Sequence, residues 1–390
     1  MKILYCATDQ VVPGTKGGSV HVTAVAQGLA ALGHEVRVLV TPGGNFPGGS
    51  AQWIALPPPL GLRQLRWAAA GAVRAMARRF EPDVVMERYY NFGGEGIAAA
   101  EATGALAVLE VNAPVVDYPG SMKHAIDRLL IVEPMRRWRE GICRRADLVV
   151  TPSAGILPPD TPVQKIVELE WGADTDRFQP GATGAVPFTR PAATVAVFAG
   201  AFRSWHGAVH LATALRELEG RGHRDLGAVF IGDGPELPRV RAAAAGLDRV
   251  VFTGAVSHDV MPACLAACDI GVAPFDVSAH APLALGFYWS PLKLFEYMAA
   301  GLPVVVPAVG RIPSLVGHEQ QGLLYEPGGR SGLSSAILQL TDPELRARLG
   351  RSARERAVRD YSWSAHCLAL EAAIVKGSGL KARATGRTGR

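Results

Sequence analysis

Residues 2–40, KILYCATDQVVPGTKGGSVHVTAVAQGLAALGHEVRVLV, contain one complete β-loop-α-β unit. Residues 2–7 (KILYCA) form a short apolar run, which is typical of a buried strand. After a glycine-rich loop, apolar residues recur every three or four positions, which predicts a helix with Val22, Val25, Ala26, Leu29 and Leu32 on one face. Gly33 ends this helix, and residues 35–40 (EVRVLV) predict the next strand. The segment therefore predicts an α/β fold with a parallel sheet.

The same alternation continues along most of the chain. Further strands are predicted in the first half at residues 83–87, 106–111 and 147–153. After an aperiodic segment rich in Gly and Pro, strands are predicted again at residues 194–200, 227–234, 250–254, 269–275 and 303–307. The sequence therefore predicts two doubly wound domains, in which ligands bind beyond the carboxyl ends of the strands.

The changes in pattern give the expected boundaries. We expect an N-terminal domain over residues 1–178, a linker over 179–193 and a second domain over 194–358. A final helix near residues 359–375 is expected to pack back on the first domain. Residues 376–390 carry five basic residues and no acidic one among Gly, Ser, Ala and Thr, and we predict that this tail is disordered.

The charge balance argues against nucleic acid as a partner. The 390 residues include 40 Lys and Arg and 35 Asp and Glu, which gives a formal net charge of +5. That excess equals the five basic residues of the tail, so the remaining body is neutral. Because nucleic-acid binding needs a basic surface, we expect no nucleic-acid partner.

Cysteine usage and hydropathy indicate the compartment. The five cysteines are an odd number and lie mostly in apolar segments, which favours reduced thiols over a disulfide framework. The first apolar run is too short for a secretory signal, and no stretch reaches the ~18 apolar residues of a membrane span. We expect a cytoplasmic protein, with the inner face of the membrane as an alternative location.

A glycine-rich loop, residues 13–19 (PGTKGGS), lies between the first predicted strand and helix. Without side chains, Gly17 and Gly18 allow backbone N–H groups to approach an anion at the start of a helix. The Gly-x-Gly-x-x-Gly pattern of dinucleotide sites does not occur in this loop. A tight turn that requires glycine explains the same residues, so both interpretations stay open.

A second segment, SPLKLFEYMAAGLP at residues 290–303, predicts one short helix. Ser290 is expected as its N-cap and Pro291 as its first residue. Lys293 then lies in the first turn, where its charge and the helix dipole both favour a phosphate. Glu296 follows on the same face and could accept two ribose hydroxyls. A surface ion pair between Lys293 and Glu296 explains this spacing equally well.

The segment SPLKLFEYMAAGLPVVVP (residues 290–307) resembles the nucleotide-binding motif of the retaining glycosyltransferases of family 4. Five more segments match that family in the expected order, and together they extend the resemblance over about residues 1–375: 17–39, 168–180, 196–207, 230–240 and 250–256. The resemblance implies the GT-B fold, in which two Rossmann-like domains face a central cleft. It also implies transfer of a sugar from a nucleotide-diphosphate sugar to a hydroxyl acceptor.

The family's donor-binding positions can be carried over to this chain. Gly17 and Gly18 match glycines that lie beside the donor diphosphate and sugar. Glu296 matches the second glutamate of the family's Glu-x7-Glu motif, which holds the ribose. Val256 lies on the loop that lines the base, and residues Gly232 to Gly234 border the same pocket.

The sugar side of the donor site departs from the family. The first glutamate of the Glu-x7-Glu motif falls at Tyr288, and no acid replaces it. We expect Tyr288 and the backbone amides of residues 286–290, including that of Ser290, to contact the sugar instead.

The diphosphate side departs as well. The family's Arg and Lys pair falls at Ala201 and His206. We expect Arg203 and His206 to substitute for that pair, with Lys293 as a third cation. These three groups would stabilise the leaving diphosphate, so we assign them the catalytic role and expect neither a metal nor another cofactor.

The acceptor side is expected in the N-terminal domain. Residues 87–90 (ERYY) and 110–114 (EVNAP) each follow a predicted strand. From these segments we take Arg88, Glu110 and Asn112 as acceptor-side candidates.

Two helical segments, residues 62–79 and 126–145, combine Arg with Trp and aliphatic residues. Such helices can lie on an anionic membrane as a peripheral contact. Long arginine side chains also cover ordinary core-facing helices, and both interpretations stay open.

The leading hypothesis is a metal-independent retaining glycosyltransferase. A nucleotide-sugar epimerase of the same fold would use the same donor without an acceptor. A sugar-nucleotide binding protein without catalysis is the third alternative.

Overall fold

The computed structural model describes residues 1–130, 133–328 and 332–384. These residues form two compact units, each built on a parallel β-sheet. The predicted α/β class with two doubly wound domains is confirmed.

Unit 1 contains a seven-stranded sheet with the order β3-β2-β1-β4-β5-β6-β7. Its strands are β1 (Lys2–Val12), β2 (Glu35–Pro42), β3 (Gln52–Ala55), β4 (Val84–Arg88), β5 (Leu106–Glu110), β6 (Leu148–Thr151) and β7 (Ile166–Glu168). Its first five helices are α1 (Gly17–Ala31), α2 (Ala70–Phe80), α3 (Glu95–Thr103), α4 (Met122–Leu129) and α5 (Pro134–Arg145). Strands β1, β4 and β5 are buried almost throughout, which explains their continuous apolar runs.

Unit 2 contains a six-stranded sheet with the order β10-β9-β8-β11-β12-β13. Its strands are β8 (Thr194–Ala199), β9 (Leu226–Ile231), β10 (Val250–Gly254), β11 (Ile270–Val272), β12 (Val304–Pro307) and β13 (Gly322–Tyr325). Its helices are α6 (Ala208–Gly220), α7 (Leu237–Ala243), α8 (Met261–Ala266), α9 (Leu292–Ala299), α10 (Ile312–Leu315), α11 (Gly332–Gln339) and α12 (Pro343–Asp360). Phe198, Phe202 and Phe230 pack together at the centre of its core.

The boundary between the units differs from the predicted one. Residues 172–193 belong to unit 2, although we expected the first domain to extend to residue 178. The physical reason is Arg354 on α12, whose Nη1 donates to the carbonyl oxygens of Thr175 and Phe178 at 2.8 and 2.7 Å. Residues 179–193 form turns and irregular backbone.

The last helix, α13 (Trp363–Ala384), belongs to unit 1 and packs on α1. The prediction of a disordered tail from residue 376 is wrong as far as Ala384, because the helix continues to that residue. Lys381 Nζ donates to Asp147 Oδ2 at 2.7 Å and to the Ala105 carbonyl at 2.5 Å. Residues 385–390 of the predicted tail lie outside the described residues.

All five cysteines are buried and free of disulfides. Among the described residues, no helix combines the length and the hydrophobicity needed to cross a membrane.

Candidate functional site

In unit 2, Lys293 is a half-buried lysine in the first turn of α9. Its Nζ is shielded from solvent and has no hydrogen-bond partner among the described residues. The ammonium lies 4.1 Å from the centroid of the Phe198 ring, and a Cβ at Gly200 would come within 3.2 Å of it. Burial lowers the pKa of Lys293 to about 7, although Glu296 acts in the opposite direction. The site can therefore stabilise an anion that approaches the loop after β8.

The loop after β8 carries the two other predicted cations. His206 Nδ1 donates to the Ala201 carbonyl at 2.5 Å, which leaves Nε2 as an acceptor. Burial and the neighbouring Lys293 lower the pKa of His206 to about 3. The expectation that His206 acts as a cation is therefore wrong for the free protein, because its ring is neutral near pH 7. Arg203, the third predicted cation, is exposed.

The loops after β8 and β9 approach each other closely at their glycines. Gly232 has φ +125°, and a Cβ there would collide with the Gly200 carbonyl. A Cβ at Gly234 would lie 2.7 Å from the backbone N and O of Phe202. The described contacts give both glycines a structural role, which is to let these loops pack side by side. Their role in donor binding stays a prediction.

Glu296 lies near the loop after β10. His258 on that loop places its Nε2 3.6 Å from Glu296 Oε1, and Arg177 Nη2 donates to the His258 carbonyl at 3.2 Å. Val256, two residues before His258, is half-buried. The predicted base-side loop and the predicted ribose-binding carboxylate are thus neighbours. In the described part of the chain, Lys293 Nζ makes no hydrogen bond to Glu296, although the nearby carboxylate acts to raise the pKa of the lysine.

Tyr288 and Ser290 lie in unit 1, unlike the helix that follows them. The prediction that Ser290 caps α9 is wrong, because Pro291 occupies the N-cap position. Ser290 Oγ instead donates to Glu170 Oε2 at 2.7 Å and accepts from the Trp171 N–H at 2.9 Å. Tyr288 is buried, and burial together with Tyr118 raises its pKa to about 12. Its neutral hydroxyl does not replace the charge of the missing glutamate.

In unit 1, the glycine-rich loop lies against Arg88. Gly17 is the first residue of α1, and a Cβ at Gly18 would collide with the Gln10 side chain and come within 3.3 Å of Arg88 Nη2. Arg88 lies over the Trp171 ring at 5.5 Å. Its Nη1 is buried without a hydrogen-bond partner among the described residues.

The three acceptor-side candidates meet at the ends of β4 and β5. Arg88 and Glu110 are paired in register, and Arg88 Nη1 lies 3.6 Å from Glu110 Oε1. Asn112 Nδ2 donates to Glu110 Oε1 at 2.7 Å. Burial alone would raise the pKa of Glu110, but contacts with His21, Arg88 and Tyr5 hold the pKa well below its ordinary value. The carboxylate is therefore ionised, with hydrogen bonds from Tyr5 and Asn112 and close contacts to His21 and Arg88.

Four members of this cluster were not predicted from the sequence. They are Tyr5 and His21, which contact Glu110, Trp171, whose ring stacks on His21 at 4.3 Å, and His366 on α13. Burial lowers the pKa of His21, although its contact with Glu110 acts in the opposite direction. The signal for His21 was its position four residues before Val25, which places it on the buried face of α1.

A metal site does not emerge from these residues. Among the described residues, no group of three or more His, Cys, Asp or Glu side chains could hold a metal ion. The expectation of no metal rested partly on the absence of an Asp-x-Asp pattern, and this was wrong, because residues 174–176 form such a triplet. Asp174 Oδ1 accepts from the Arg177 N–H at 3.1 Å, and Asp176 lies near Arg354. These contacts give the triplet a structural explanation.

Both units match models of known protein families. The family described as "Glycosyltransferase Family 4" matches residues 15–157, and the family described as "Glycosyl transferases group 1" matches residues 193–342. The first matched range lies in unit 1, and the second lies in unit 2 apart from residues 288–290.

Among curated relatives, 2-deoxystreptamine N-acetyl-D-glucosaminyltransferase of Streptomyces fradiae is 36% identical over 38% of this chain and 37% of its own length. Sulfoquinovosyl transferase SQD2 of Arabidopsis thaliana is 26% identical over 74% of this chain and 55% of its own length. The chain thus matches between about a third and just over half of the length of these relatives.

Solved structures share the fold of the whole described chain. Sucrose-phosphate synthase of Thermosynechococcus elongatus aligns with a TM-score of 0.69 at 18% identity, covering 99% of this chain and 100% of that one. HepE of Anabaena in complex with UDP aligns with a TM-score of 0.67 at 17% identity, covering 96% and 100%. The two parallel-sheet units are therefore those of the GT-B fold, and the chain belongs to the group 1, family 4 glycosyltransferases.

Proposed function

We propose that this protein transfers a sugar from a nucleotide-diphosphate sugar to a hydroxyl acceptor, with retention of anomeric configuration and without a metal. The observation that carries the proposal is the buried ammonium of Lys293, which has no hydrogen-bond partner among the described residues. A buried charge without a partner is unfavourable unless a ligand supplies the opposite charge. A donor diphosphate supplies it.

Unit 2 contributes the groups for the donor. Lys293 lies at the start of α9, where the helix dipole adds to its positive charge, and exposed Arg203 can reach a phosphate from the loop after β8. Together they would stabilise the charge that develops on the leaving diphosphate, which is the role a metal fills in other transferases. Glu296, near the loop of Val256, would accept the ribose hydroxyls.

Unit 1 contributes the acceptor side. Arg88 has a buried Nη1 without a hydrogen bond, and Asn112 is held by Glu110 and by the Trp171 indole, which donates to its Oδ1 at 2.8 Å. These groups lie at the carboxyl ends of β4 and β5, where ligands of parallel sheets bind. The relatives named above indicate no common acceptor, so the proposal stays at the level of a hydroxyl group.

Two steps test this function. A thermal-shift screen over nucleotide-diphosphate sugars should find a donor, since a ligand at a hundred times its Kd stabilises by about 2.7 kcal/mol. Product analysis with that donor should then show transfer to an added acceptor, with retained configuration by NMR and unchanged turnover in excess EDTA. An epimer formed without acceptor would favour the epimerase alternative. Activity abolished by EDTA and restored by Mg²⁺ or Mn²⁺ would contradict metal independence.

A further inference from the structure

One face of unit 1 gathers much of the exposed apolar surface. Of the thirteen large apolar side chains that are exposed in the described chain, eight lie within residues 60–67 and 122–138. We call this set the apolar patch; its members are Leu60, Leu62, Trp67, Met122, Ile126, Leu129, Leu130 and Trp138. Single exposed apolar residues are ordinary on protein surfaces, but such a concentration marks an interaction site.

The segments that carry the patch meet at one loop, residues 91–93. The backbone N–H of Trp67 donates to the Phe92 carbonyl at 3.0 Å, and the Trp138 indole donates to the Gly93 carbonyl at 3.1 Å. Lys123 on α4 donates to Asn91 Oδ1 at 3.4 Å. The two tryptophans and α4 therefore surround the same three residues, although they are distant in sequence.

A buried arginine lies next to each exposed tryptophan. Arg66 is fully buried and donates to Asp9 Oδ1 at 2.6 Å and Glu95 Oε1 at 2.7 Å, while Trp67 is 49% exposed. On α5, buried Arg139 donates to Asp117 Oδ1 at 2.9 Å, while Trp138 is 46% exposed. These buried ion pairs fix the backbone beside both indoles, so the rings are held at the surface by the fold itself.

Helix α4 is also held in place by a buried charged side chain. Its buried Asp127 accepts from the backbone N–H groups of Met135 and Arg136 at 2.8 and 2.9 Å. This contact turns the carboxylate inward, and Leu129, two residues later, is 81% exposed.

The surroundings of the patch are basic. Residues 57–80 contain five arginines and no acidic residue, and four of these arginines are exposed: Arg63, Arg74, Arg78 and Arg79. Arg128 and Arg137 add exposed positive charge beside α4 and α5, whereas Arg136 is paired with Glu140 Oε1 at 2.7 Å. Glu133 is partly exposed but pairs with Arg136 at 3.2 Å. Exposed Trp and Leu ringed by Arg is the composition that suits an anionic lipid surface.

We propose that this face of unit 1 attaches the protein to anionic membranes. The apolar patch enters the headgroup region, where indole rings are most stable, and the surrounding arginines contact lipid phosphates. The attachment is peripheral and independent of the transferase activity proposed above, because its side chains are not among the donor or acceptor candidates.

Vesicle flotation with the full chain tests the proposal. We expect binding to mixed phosphatidylcholine and phosphatidylglycerol vesicles that weakens with added salt, and little binding to phosphatidylcholine alone. Leu129→Ser should lower the partition coefficient about tenfold and Arg137→Gln about fivefold. The matched controls are Leu368→Ser on α13 and Arg239→Gln in unit 2, both exposed and outside the patch, and they should change nothing.

Three results would overturn the proposal. Two of them are absence of binding to the mixed vesicles and an equal loss in the patch and control variants. The third is a change in self-association of Leu129→Ser by sedimentation velocity without a change in vesicle binding, which would identify the patch as a protein interface. Circular dichroism of each variant checks that the fold is intact.

Discussion

Glu110 and Lys293 each place a buried charge at a candidate site, but only the charge of Glu110 has polar partners. In unit 1, Glu110 is surrounded by four polar groups: those of Tyr5, His21, Arg88 and Asn112. In unit 2, Lys293 lies against the Phe198 ring, and its Nζ has no hydrogen-bond partner among the described residues. A buried charge with its partners maintains the fold, whereas one without them is unfavourable until a ligand binds. The difference supports the proposal that Lys293, rather than Glu110, receives its counter-charge from a ligand.

The largest expected effect is on stability, and it should differ in sign between the two groups. Glu110→Gln leaves Arg88 buried without its counter-charge, so it should lower the free energy of unfolding by about 3–5 kcal/mol. Lys293→Met removes a buried charge that lacks a partner, so stability should be unchanged or higher. Urea unfolding of both variants measures this contrast.

Tyr5→Phe is the graded control, since it removes one hydrogen bond to Glu110 and should lower stability by about 1 kcal/mol. A Glu110→Gln variant as stable as the native chain would mean that the unit 1 cluster is also built for a ligand.

The second effect is on ligand binding. Lys293→Met should weaken a nucleotide diphosphate by about ten- to hundredfold, because a hydrogen bond to a charged group contributes about 1.5–3 kcal/mol. Binding of the bare nucleoside should not change, since it carries no phosphate. Calorimetry with both ligands gives the ratio.

The matched control is Arg203→Met, which removes an exposed cation. Because solvent screens exposed charges, this variant should weaken diphosphate binding by about fivefold or less. Equal losses for nucleoside and diphosphate in Lys293→Met would mean that α9 had been distorted, and the assignment of Lys293 to the phosphate would then fail.

The sequence predicted the strands and helices that carry both sites better than the protonation of the side chains in them. Buried strands such as β1 and β5 are continuous apolar runs, so their positions could be read directly. Strands β3 and β7 were missed because they have only four and three residues and are half-exposed. The extension of α13 was missed because its acceptors, Asp147 and Ala105, are more than 200 residues away in the chain.

The protonation of the predicted site residues could not be read from the sequence at all. His206 and Lys293 were both taken as cations from their residue types. Burial and the neighbouring Lys293 lower the pKa of His206 to about 3, and burial lowers the pKa of Lys293 to about 7. Both effects depend on which residues surround the group in space, and spacing along the chain does not contain that information.

The third effect is a pH dependence of donor binding. The pKa of Lys293 is lowered to about 7, so the ammonium is present below pH 7 and is lost as the pH rises above it. A bound diphosphate favours the protonated form, so binding above pH 7 takes up a proton and affinity should fall by up to about tenfold per pH unit. A nucleotide-diphosphate sugar is the suitable ligand, because its phosphates stay ionised throughout this range.

Lys293→Met should bind the donor weakly, with an affinity that does not change with pH. A native affinity that is constant from pH 6 to pH 9, a range that brackets the pKa of about 7, would mean that Lys293 does not carry the proton.

The smallest expected effect concerns Lys381, whose charge has a partner, as Glu110 has, but is only partly buried. Its Nζ is paired with Asp147 Oδ2 at 2.7 Å, but the two side chains remain 26% and 31% exposed. Exposed ion pairs contribute about 0–1 kcal/mol, so Lys381→Ala should lower the free energy of unfolding by less than about 1 kcal/mol. Lys376→Ala is the control, because Lys376 is exposed on the same helix and should have no effect. If the two variants behave alike in urea unfolding, the end of α13 does not dock through Lys381. A loss well above 1 kcal/mol would instead place Lys381 with Glu110, among the charges whose partners maintain the fold.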